Sequence, residues 1–509
     1  PLTAQVDLPH STVMSKQAVL VLGVLATTTL ITVCNSNSIG VDPLTHTFVD
    51  HTTGSQLFFH GMNFVRKGAP YIADIGNDNE PSSAWSINDG DVEFLASKGM
   101  NTVRLGLMWT GAMPEGPSKF NTSYFNQVRA VVDLLWSHHI YTIIDVHQDV
   151  LTPRLCGEGA PMWLNTTTQV LGGLEFPLPL ALKPAPNLPN GLPNCSSAWT
   201  PIGWSSFYLT DVCGRAFEAM YHDTAPMLWG TQFALLWGEI AKTFTGHPGV
   251  LAYELLNEPW VGDAIEHPEY LVEPGKADFA QLAPFYARLH TTIREYDNNT
   301  MLFYSGMEVG DRLTTPVGFK MGPGGDGYND KQALVMHNYC IIGTDGTGPE
   351  PGLQRDFCNV TDGLTFRQRN KDRKRLNTAL IMTEFGATSP APTGLEEVQI
   401  VADGADALSP PASWTYWCWD QFHPNREDPR WGAVSRSYAT EVAGTDVTIT
   451  GGGGNDFKLI FTTGGRVGAF PTKVFYAPGL QNATVSVEPK QALSSPNQTG
   501  PHTVEFYSL

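Results

Sequence analysis

Eight short apolar runs, spread over residues 57–420, constrain the fold of this chain more than any other feature. Runs of this length that stay apolar throughout predict strands buried on both faces. The eight candidate strands are Leu57–Asn63, Thr102–Leu107, Tyr141–His147, Val250–Glu258, Met301–Gly306, Ala333–Tyr339, Ala379–Phe385 and Trp414–Asp420. Helical three- and four-residue spacing of apolar side chains fills several gaps between them, at Asp89–Lys98, Tyr124–His138, Gln232–Thr243 and Phe279–Tyr296. This alternation predicts an α/β fold, a (β/α)8 TIM barrel.

The character of the chain changes after Asp420. Short β-rich runs follow one another through residues 431–509, separated by turn residues such as those at 451–454. The runs are Asp446–Ile449, Phe457–Thr462, Val474–Tyr476, Ala483–Val487 and Thr503–Tyr507. This spacing predicts a small C-terminal β-sandwich. We therefore divide the chain into an N-terminal extension with signal peptide (1–38), a catalytic barrel (39–430) and a sandwich (431–509).

The connection between the third and fourth candidate strands is too long for a simple crossover. It covers about a hundred residues, and its segment 171–192 is apolar and rich in proline. A connection after a barrel strand emerges at the face that carries the active site, so this insertion is expected to overhang that face. An apolar surface loop either packs on its own domain or meets an apolar ligand, and both interpretations stay open.

The N-terminal sequence and the net charge bear on where the protein acts. Met14-Ser15-Lys16 precedes an apolar run from Ala18 to Val33, which is typical of a signal peptide, with a retained signal anchor as the alternative. We expect a secreted or extracellular protein, or one of a lysosomal or digestive lumen. Seven N-glycosylation sequons agree with that route. A net charge of −19 argues against nucleic-acid binding.

Six cysteines remain once the signal peptide is excluded. An even number in a secreted protein permits disulfides, and Cys340 with Cys358 is a plausible pair. A second bridge would join two of the three residues Cys156, Cys195 and Cys213. No Cys or His cluster has the spacing of a metal site, so no metal is expected.

Two of the candidate strands end in a glutamate, Glu258 in the sequence NEP and Glu384 in TEFG. The carboxyl end of a barrel strand is where this fold keeps its chemistry. Paired carboxylates are the machinery of glycosidic bond cleavage, one as acid and one as nucleophile about 5–5.5 Å away in retaining enzymes. A structural role, capping a helix or pairing with Arg, is the alternative. Buried carboxylates without partners are costly, which favours catalysis.

Other polar residues follow the same ends of further strands. Arg104 could orient the nucleophile, and Asn257 beside the acid could bind a sugar hydroxyl. His147 and Asp149 follow the third strand, and His337 and Tyr339 follow the sixth. Trp417 lies on the eighth and could form the floor of a sugar site. Each has an ordinary structural explanation alone, but together they predict one polar site.

This set of residues resembles the invariant set of glycoside hydrolase family 5. Several stretches further resemble the endoglycoceramidases of that family, among them FFHGMNFVRKGAPY, NTVRLGLMWTG, DVHQDVLTPRLCGEGAPMW, LLNEPW, GFKMGPGG and WTYWCWD. The resemblance runs from about Leu57 to the C-terminus. It implies cleavage of the β-linkage between an oligosaccharide and ceramide, with retention and without a metal or organic cofactor.

The resemblance also implies individual roles. Glu258 would be the acid/base and Glu384 the nucleophile. The first sugar would be held by His147, Asn257 and Tyr339, and the subsite next to ceramide would be lined by Lys67, Asp149 and Trp417. The substrate would be a glycosphingolipid, taken up at a transient membrane or micelle surface by a protein expected to be a monomer.

Three alternatives stay open. The enzyme could be a glucosylceramidase-like or other family 5 β-glycosidase on the same barrel. It could be a cellulase-like or mannanase-like enzyme, for which an open cleft and few apolar loops would be typical. A non-catalytic glycolipid-binding protein is disfavoured, because both glutamates and their supporting residues are present.

Overall fold

The computed structural model describes most of the chain, with several gaps. The described residues are 3–7, 38–76, 85–196, 203–340, 348–421, 423–454, 456–463, 470–478, 486–488, 494 and 496–507. The predicted signal peptide and the sequon at Asn482 lie outside them. Within the described residues, no helix is long and apolar enough to cross a membrane.

Eight parallel strands form a closed barrel and follow one another around it in chain order. They are β1 (His60–Phe64), β2 (Thr102–Met108), β3 (Tyr141–His147), β4 (Val250–Glu254), β5 (Met301–Ser305), β6 (Gln332–Asn338), β7 (Ala379–Phe385) and β8 (Ser413–Tyr416). Every residue of these strands is buried, which explains why their sequences are almost continuously apolar. The predicted TIM barrel is confirmed.

Three predicted strands differ from the observed ones by three residues or more at one end, for a shared reason, while the limits of the others differ by at most one residue. The run Leu57–Asn63 is divided: Phe58 packs in the sandwich and Phe59 in the floor of the barrel, so β1 begins only at His60. The strand predicted to reach Glu258 ends at Glu254, and the loop beyond it stays apolar because it packs into the core. Likewise β8 ends at Tyr416 rather than Asp420. An apolar run in the sequence indicates buried residues, and residues stay buried beyond the last hydrogen-bonded pair of a strand.

Helices surround the barrel and include those predicted from the apolar spacing. The longer ones are Asp89–Ser97, Thr122–Ser137, Asp211–His222, Trp229–Phe244, Ala283–Arg294, Leu353–Arg375 and Pro392–Asp406. Single turns of α-helix occur at Trp109–Ala112, Thr168–Leu171, Glu269–Val272, Glu308–Arg312 and Arg430–Val434. Segments of 3-10 helix lie at Pro153–Leu155, Trp204–Leu209, Asp326–Lys331 and Trp419–Gln421, and a π-helical turn at Asp278–Leu282.

A β-hairpin made of Ile39–Asp42 and Thr47–Asp50 closes the floor of the barrel. Its side chains Ile39, Val41 and Phe48 pack against residues near the N-terminal ends of the strands, including Met301 and Ala379. The floor is therefore a sealed apolar core, and the opposite end of the barrel is left for polar side chains.

The predicted β-sandwich is present, and its two sheets share one apolar core. The larger sheet has the order Ile39–Asp42, Thr47–Asp50, Gln56–Leu57, Tyr438–Val442, Pro471–Phe475, Thr503–Tyr507 and Asn497–Gly500. The smaller has the order Gly444–Thr450, Lys458–Thr463, Thr3–Asp7 and Ser486–Glu488. The N-terminal extension was not expected to contribute strands, but Thr3–Asp7 pairs with two C-terminal strands. Strands from before the barrel thus complete both sheets, and the division at residue 431 stays a prediction.

Two disulfides join segments at the end of the barrel where the strands have their C-termini. Cys340 is bonded to Cys358, as the sequence suggested, and Cys156 to Cys195, which selects one of the three open pairings. Cys213 and Cys418 are buried free thiols. The first bridge fastens the Leu353–Arg375 helix to the end of β6, and the second closes a loop of the long insertion.

Candidate active site

A cavity of about 860 Å³ opens at the C-terminal ends of the barrel strands. Of the ten residues predicted from the sequence, seven line it: Lys67, His147, Asp149, Glu258, Tyr339, Glu384 and Trp417. The other three are buried beside it: Arg104 and His337 hydrogen-bond the lining residues Glu384 and Glu258, and Asn257 accepts a hydrogen bond from Arg104. The structure brings all ten into one connected network.

Glu258 and Glu384 are held close together by a histidine that lies between them. His337 Nδ1 is 2.8 Å from Glu258 Oε1 and 3.7 Å from Glu384 Oε2. Because both distances are measured from the same nitrogen, their sum is the largest possible separation of Glu258 Oε1 and Glu384 Oε2. Inverting enzymes leave about 6.5–9.5 Å for a water molecule, so this geometry favours the closer pair of a retaining enzyme.

The backbone at Glu258 adopts a conformation that is rare for its residue type. Its φ of 38° lies in the left-handed region. Gln148 stabilises the turn, because its Nε2 donates to the backbone carbonyls of Asn257 at 2.8 Å and Glu258 at 3.0 Å. A non-glycine residue held this way costs about 1–3 kcal/mol, and such outliers concentrate at functional sites. The turn aims the Glu258 side chain into the cavity.

Arg104 is the centre of the buried polar network beneath the cavity. Its guanidinium donates twice to Glu254 at 2.7 and 2.9 Å, to Glu384 Oε1 at 2.6 Å, to Asn257 Oδ1 at 2.8 Å and to Asn63 Oδ1 at 3.0 Å. The side chain has no exposed surface. Burial alone would lower the pKa of Arg104, but the surrounding carboxylates raise it, so the charge is permanent. Arg104 thus fixes one oxygen of Glu384 as an ion pair.

Glu384 receives a second hydrogen bond on its other oxygen. The Tyr339 hydroxyl donates to Glu384 Oε2 at 3.0 Å. Burial, followed by the charges of Glu384 and Glu258, raises the pKa of Tyr339, so the phenol keeps its proton and remains a donor. With one donor on each oxygen, Glu384 has a fixed orientation.

The ionisation of Glu258 depends on the same histidine. Burial would raise the pKa of Glu258, but the hydrogen bond and the charge of His337 bring it below its ordinary value. Burial opposes protonation of His337, yet Glu384 and Glu258 together raise its pKa to about 10. Both shifts favour a protonated His337 beside an ionised Glu258 in the free site. Two neighbouring carboxylates alone would raise the pKa of the acid. Here His337 lowers the pKa of Glu258 instead.

A second cluster of polar residues, centred on Lys67, covers one wall of the cavity. Lys67 forms ion pairs with Asp149 and, at 3.1 Å, with Glu158, and lies over the rings of Trp417 at 5.2 Å and Trp204 at 5.6 Å. Burial would lower the pKa of Lys67, but the two carboxylates raise it. These aromatic and charged groups form a wall suited to a sugar ring.

His147 joins this wall to the buried network. Its ring stacks on Trp417 at 5.3 Å, and its Nδ1 is 2.8 Å from Asp145 Oδ2. Burial opposes its charge, but Asp145 and Asp149 raise the pKa of His147 to about 9. Asp145 also lies 3.1 Å from Arg104, so the sugar wall and the nucleophile share one scaffold.

Several residues of this site were missed by sequence reasoning. Glu254 and Asp145 are fully buried in β4 and β3, where they bind Arg104. A charge inside an otherwise apolar strand has to be paired, and that signal could have identified both. Trp204 and Glu308 carry no such signal, because each reaches the cavity from a connection whose path the sequence does not specify.

Glu308 lies beside Glu258 and differs from it in proton affinity. Ligand-type atoms of Glu258, Glu308 and His337 are all within 4.8 Å of one another. Burial and the charge of Glu258 raise the pKa of Glu308 to about 8, although Arg312, 2.5 Å away, opposes this. His337 has one nitrogen at Glu258 and the other at Thr383, and Arg312 brings a positive charge. These contacts favour a hydrogen-bonded proton-sharing cluster over a cation site.

Apolar side chains also line the cavity, and several of them come from the long insertion. Trp204, Tyr208 and Leu209 line it together with Trp260 and Val309. Tyr208 and Trp260 stack with ring centroids 5.3 Å apart. The insertion thus contributes to the active-site face, as expected, through residues 204–209. Its 171–192 segment supplies none of the cavity lining, and it exposes Leu174, Leu182 and Leu188.

Comparison with known proteins places these features in a family. The sequence model of the cellulase family, glycosyl hydrolase family 5, matches residues 75–423. The chain is 30% identical over 422 residues to an endoglycoceramidase of Hydra vulgaris, covering 80% of this chain and 74% of the relative. It is 31% identical over 389 residues to an endoglycoceramidase of Cyanea nozakii, covering 75% and 70%.

Solved structures agree on the fold. Endo-glycoceramidase II from Rhodococcus sp., solved as a lactosyl-enzyme intermediate and as a ganglioside GM3 complex, superposes with a TM-score of 0.68 in both cases. The identity is 19%, and the match covers 90% of this chain and 95% of that protein. By its sequence match, and in keeping with its barrel and its carboxylate pair, this chain belongs to glycoside hydrolase family 5.

Proposed function

We propose that the protein is a retaining endoglycoceramidase, which hydrolyses the β-glycosidic bond between the oligosaccharide and the ceramide of a glycosphingolipid. The observation that carries this proposal is the pair Glu258 and Glu384, bridged by His337 inside a cavity lined by both polar and apolar side chains. The names of the Hydra vulgaris and Cyanea nozakii relatives support the same substrate class.

Glu384 is the proposed nucleophile. One of its oxygens is held by Arg104, and the other accepts from Tyr339. It attacks the anomeric carbon, the bond from that carbon to the ceramide oxygen breaks, and a covalent glycosyl-enzyme forms. The two fixed donors hold the carboxylate aligned before the substrate arrives.

Glu258 is the proposed acid and base. It transfers a proton to the departing ceramide oxygen, then removes one from the water that hydrolyses the intermediate. The pKa shifts favour that proton on His337, 2.8 Å away, in the free site, so in the proposed cycle substrate binding returns it to Glu258. Formation of the ester neutralises Glu384 and removes one of the charges that hold the proton on His337.

The remaining predicted residues are proposed to bind the sugar next to ceramide. Trp417 offers a ring face, stacked against His147. Lys67 and Asp149 offer hydrogen-bonding groups to sugar hydroxyls at the edge of that ring. Asn257 uses its oxygen for Arg104 and one amide hydrogen for the Gln148 carbonyl, which leaves one N–H for a 2-hydroxyl.

The apolar lining residues Trp204, Leu209 and Trp260 are proposed to contact ceramide. We further propose that the enzyme acts as a secreted monomer at a membrane or micelle surface. The exposed sequon residues Asn165, Asn298 and Asn359 support passage through a secretory pathway. No metal or organic cofactor takes part in the proposed reaction.

The test is incubation with a panel of glycosphingolipids, with mass spectrometry of both the sugar and the ceramide products. Release of an intact oligosaccharide and free ceramide is the expected result. Release of a single hexose only would assign a glucosylceramidase-type activity. Turnover of soluble polysaccharide with none of glycolipid would contradict the proposed substrate.

A further inference from the structure

The Leu353–Arg375 helix carries a row of apolar side chains on its outward face. Its inward face buries residues such as Cys358, Thr365, Phe366 and Arg369 against the barrel. On the opposite face, at spacings of four, three and four, an apolar stripe is formed by Leu353, Phe357, Val360 and Leu364. These side chains are 90%, 42%, 58% and 43% exposed. A surface helix normally presents polar residues there, so this stripe is a candidate contact surface.

The same line of the helix continues with positive charges. Arg367 and Lys371 follow Leu364 at spacings of three and four, and both are exposed. The chain as a whole has a net charge of −19. Two positive charges in line with an apolar row therefore differ from the negative charge that predominates in the chain. An apolar row flanked by Lys and Arg is typical of helices that lie in the interface of a lipid bilayer.

The stripe has a fixed position relative to the cavity. Gly348 and Pro349 line the cavity just before the helix, and Arg355 of the helix donates to the Pro349 carbonyl at 3.1 Å. Cys340, also in the cavity wall, is bonded to Cys358. The apolar stripe therefore begins at the cavity rim, and a disulfide and a buried arginine hold it there.

We propose that the apolar stripe is the surface with which this protein rests on the bilayer that contains its substrate. This inference rests on the proposed glycosphingolipid activity and names the surface that brings the enzyme to it. The stripe extends over about 16 Å at 1.5 Å per residue, enough for a shallow contact with the helix axis parallel to the membrane. Arg367 and Lys371 then meet headgroup phosphates, and the cavity mouth opens at the interface where the glycan leaves the lipid.

The experiment measures binding and turnover separately. Wild-type protein, produced without N-glycans because the sequon residue Asn359 is on this helix, is mixed with phosphatidylcholine vesicles containing a neutral lactosyl glycosphingolipid. Partition is measured by sedimentation in a catalytically inactive Glu384→Gln background. Turnover is measured in the active protein on the same vesicles, on detergent micelles and on a soluble aryl β-lactoside.

The test variant is Phe357→Ser with Leu364→Ser, and the matched control is Leu44→Ser. Leu44 is 88% exposed in the hairpin that closes the floor of the barrel, at the end opposite the cavity. Losing two half-exposed apolar side chains should reduce vesicle partition and kcat/KM on vesicles by about tenfold to hundredfold. Activity on the aryl lactoside should be unchanged, and the control should equal wild type throughout.

Several results would overturn the inference. Unchanged vesicle partition of the stripe variant, equal loss in the Leu44→Ser control, or no vesicle binding by wild-type protein would each do so. A wild-type dimer that the stripe variant dissociates would assign the stripe to a second copy of the chain instead. Failure of the proposed function can be told apart from failure of this inference. The first appears as absent glycolipid turnover in micelles, whereas the second is measured by vesicle partition, which needs no turnover.

Discussion

Replacing Arg104 by lysine should separate the structural and chemical roles of the buried network. Lysine keeps the positive charge, so the three carboxylates around it are not left uncompensated, but it offers at most three donors in place of the five hydrogen bonds of Arg104. At least two buried acceptors lose their partner. Each such loss costs about 1–3 kcal/mol, so the free energy of unfolding should fall by about 2–6 kcal/mol.

The effect on catalysis should be distinct from this loss of stability. The 2.6 Å hydrogen bond to Glu384 is charge-assisted and worth about 1.5–3 kcal/mol. Its loss predicts a decrease of about tenfold to 150-fold in kcat/KM. Steady-state kinetics below the unfolding transition would measure this, and urea unfolding would measure the stability.

Arg436→Lys provides the matched control. Arg436 is also fully buried and pairs with Asp403 and Asp406, away from the cavity. Its lysine variant should lose stability while kcat/KM stays close to the wild-type value. If Arg104→Lys kept kcat/KM within twofold of wild type, or if both variants lost activity equally, Arg104 would have no specific role in orienting Glu384.

Four further predictions concern the carboxylates, His337 and their protons. Glu384→Gln should reduce turnover by at least about thousandfold while circular dichroism shows an unchanged fold, and substantial residual turnover would exclude Glu384 as nucleophile. Glu258→Ala should be rescued by azide on an activated aryl glycoside, giving by NMR a β-glycosyl azide; an α-azide would refute retention. The pKa of Glu308 is raised to about 8 and that of His337 from 6.5 to about 10. The profile of kcat/KM should therefore contain an ionisation near pH 8 that Glu308→Gln lacks, and its persistence would assign it elsewhere. Protonated His337 stabilises the folded protein fully below pH 6.5, and this stabilisation is lost as the pH rises through about 10. The Tm of the wild-type protein should therefore fall over this pH range, and the Tm of His337→Gln should fall less.

Much of the barrel could be predicted because burial leaves a strong signal in the sequence. Strands β3 and β7 have the predicted limits, since their apolar runs coincide with their hydrogen-bonded ladders. The first strand could not be delimited, because Phe58 and Phe59 serve two different cores and only the assembled fold distinguishes them. The strands that join the sandwich from residues 3–57 were also missed, because nothing local indicates a partner several hundred residues away.

The sequence by itself determined the fold class and identified ten residues that the fold brings together, because a closed parallel barrel collects the ends of its strands at one face. Only the tertiary structure decided how those residues share charge and protons. It inserts His337 between Glu258 and Glu384, and it surrounds Arg104 with carboxylates from three different strands. Proton affinity depends on distances of a few ångströms between residues that are distant in the chain. Such distances are set by packing and leave no periodic trace in the sequence.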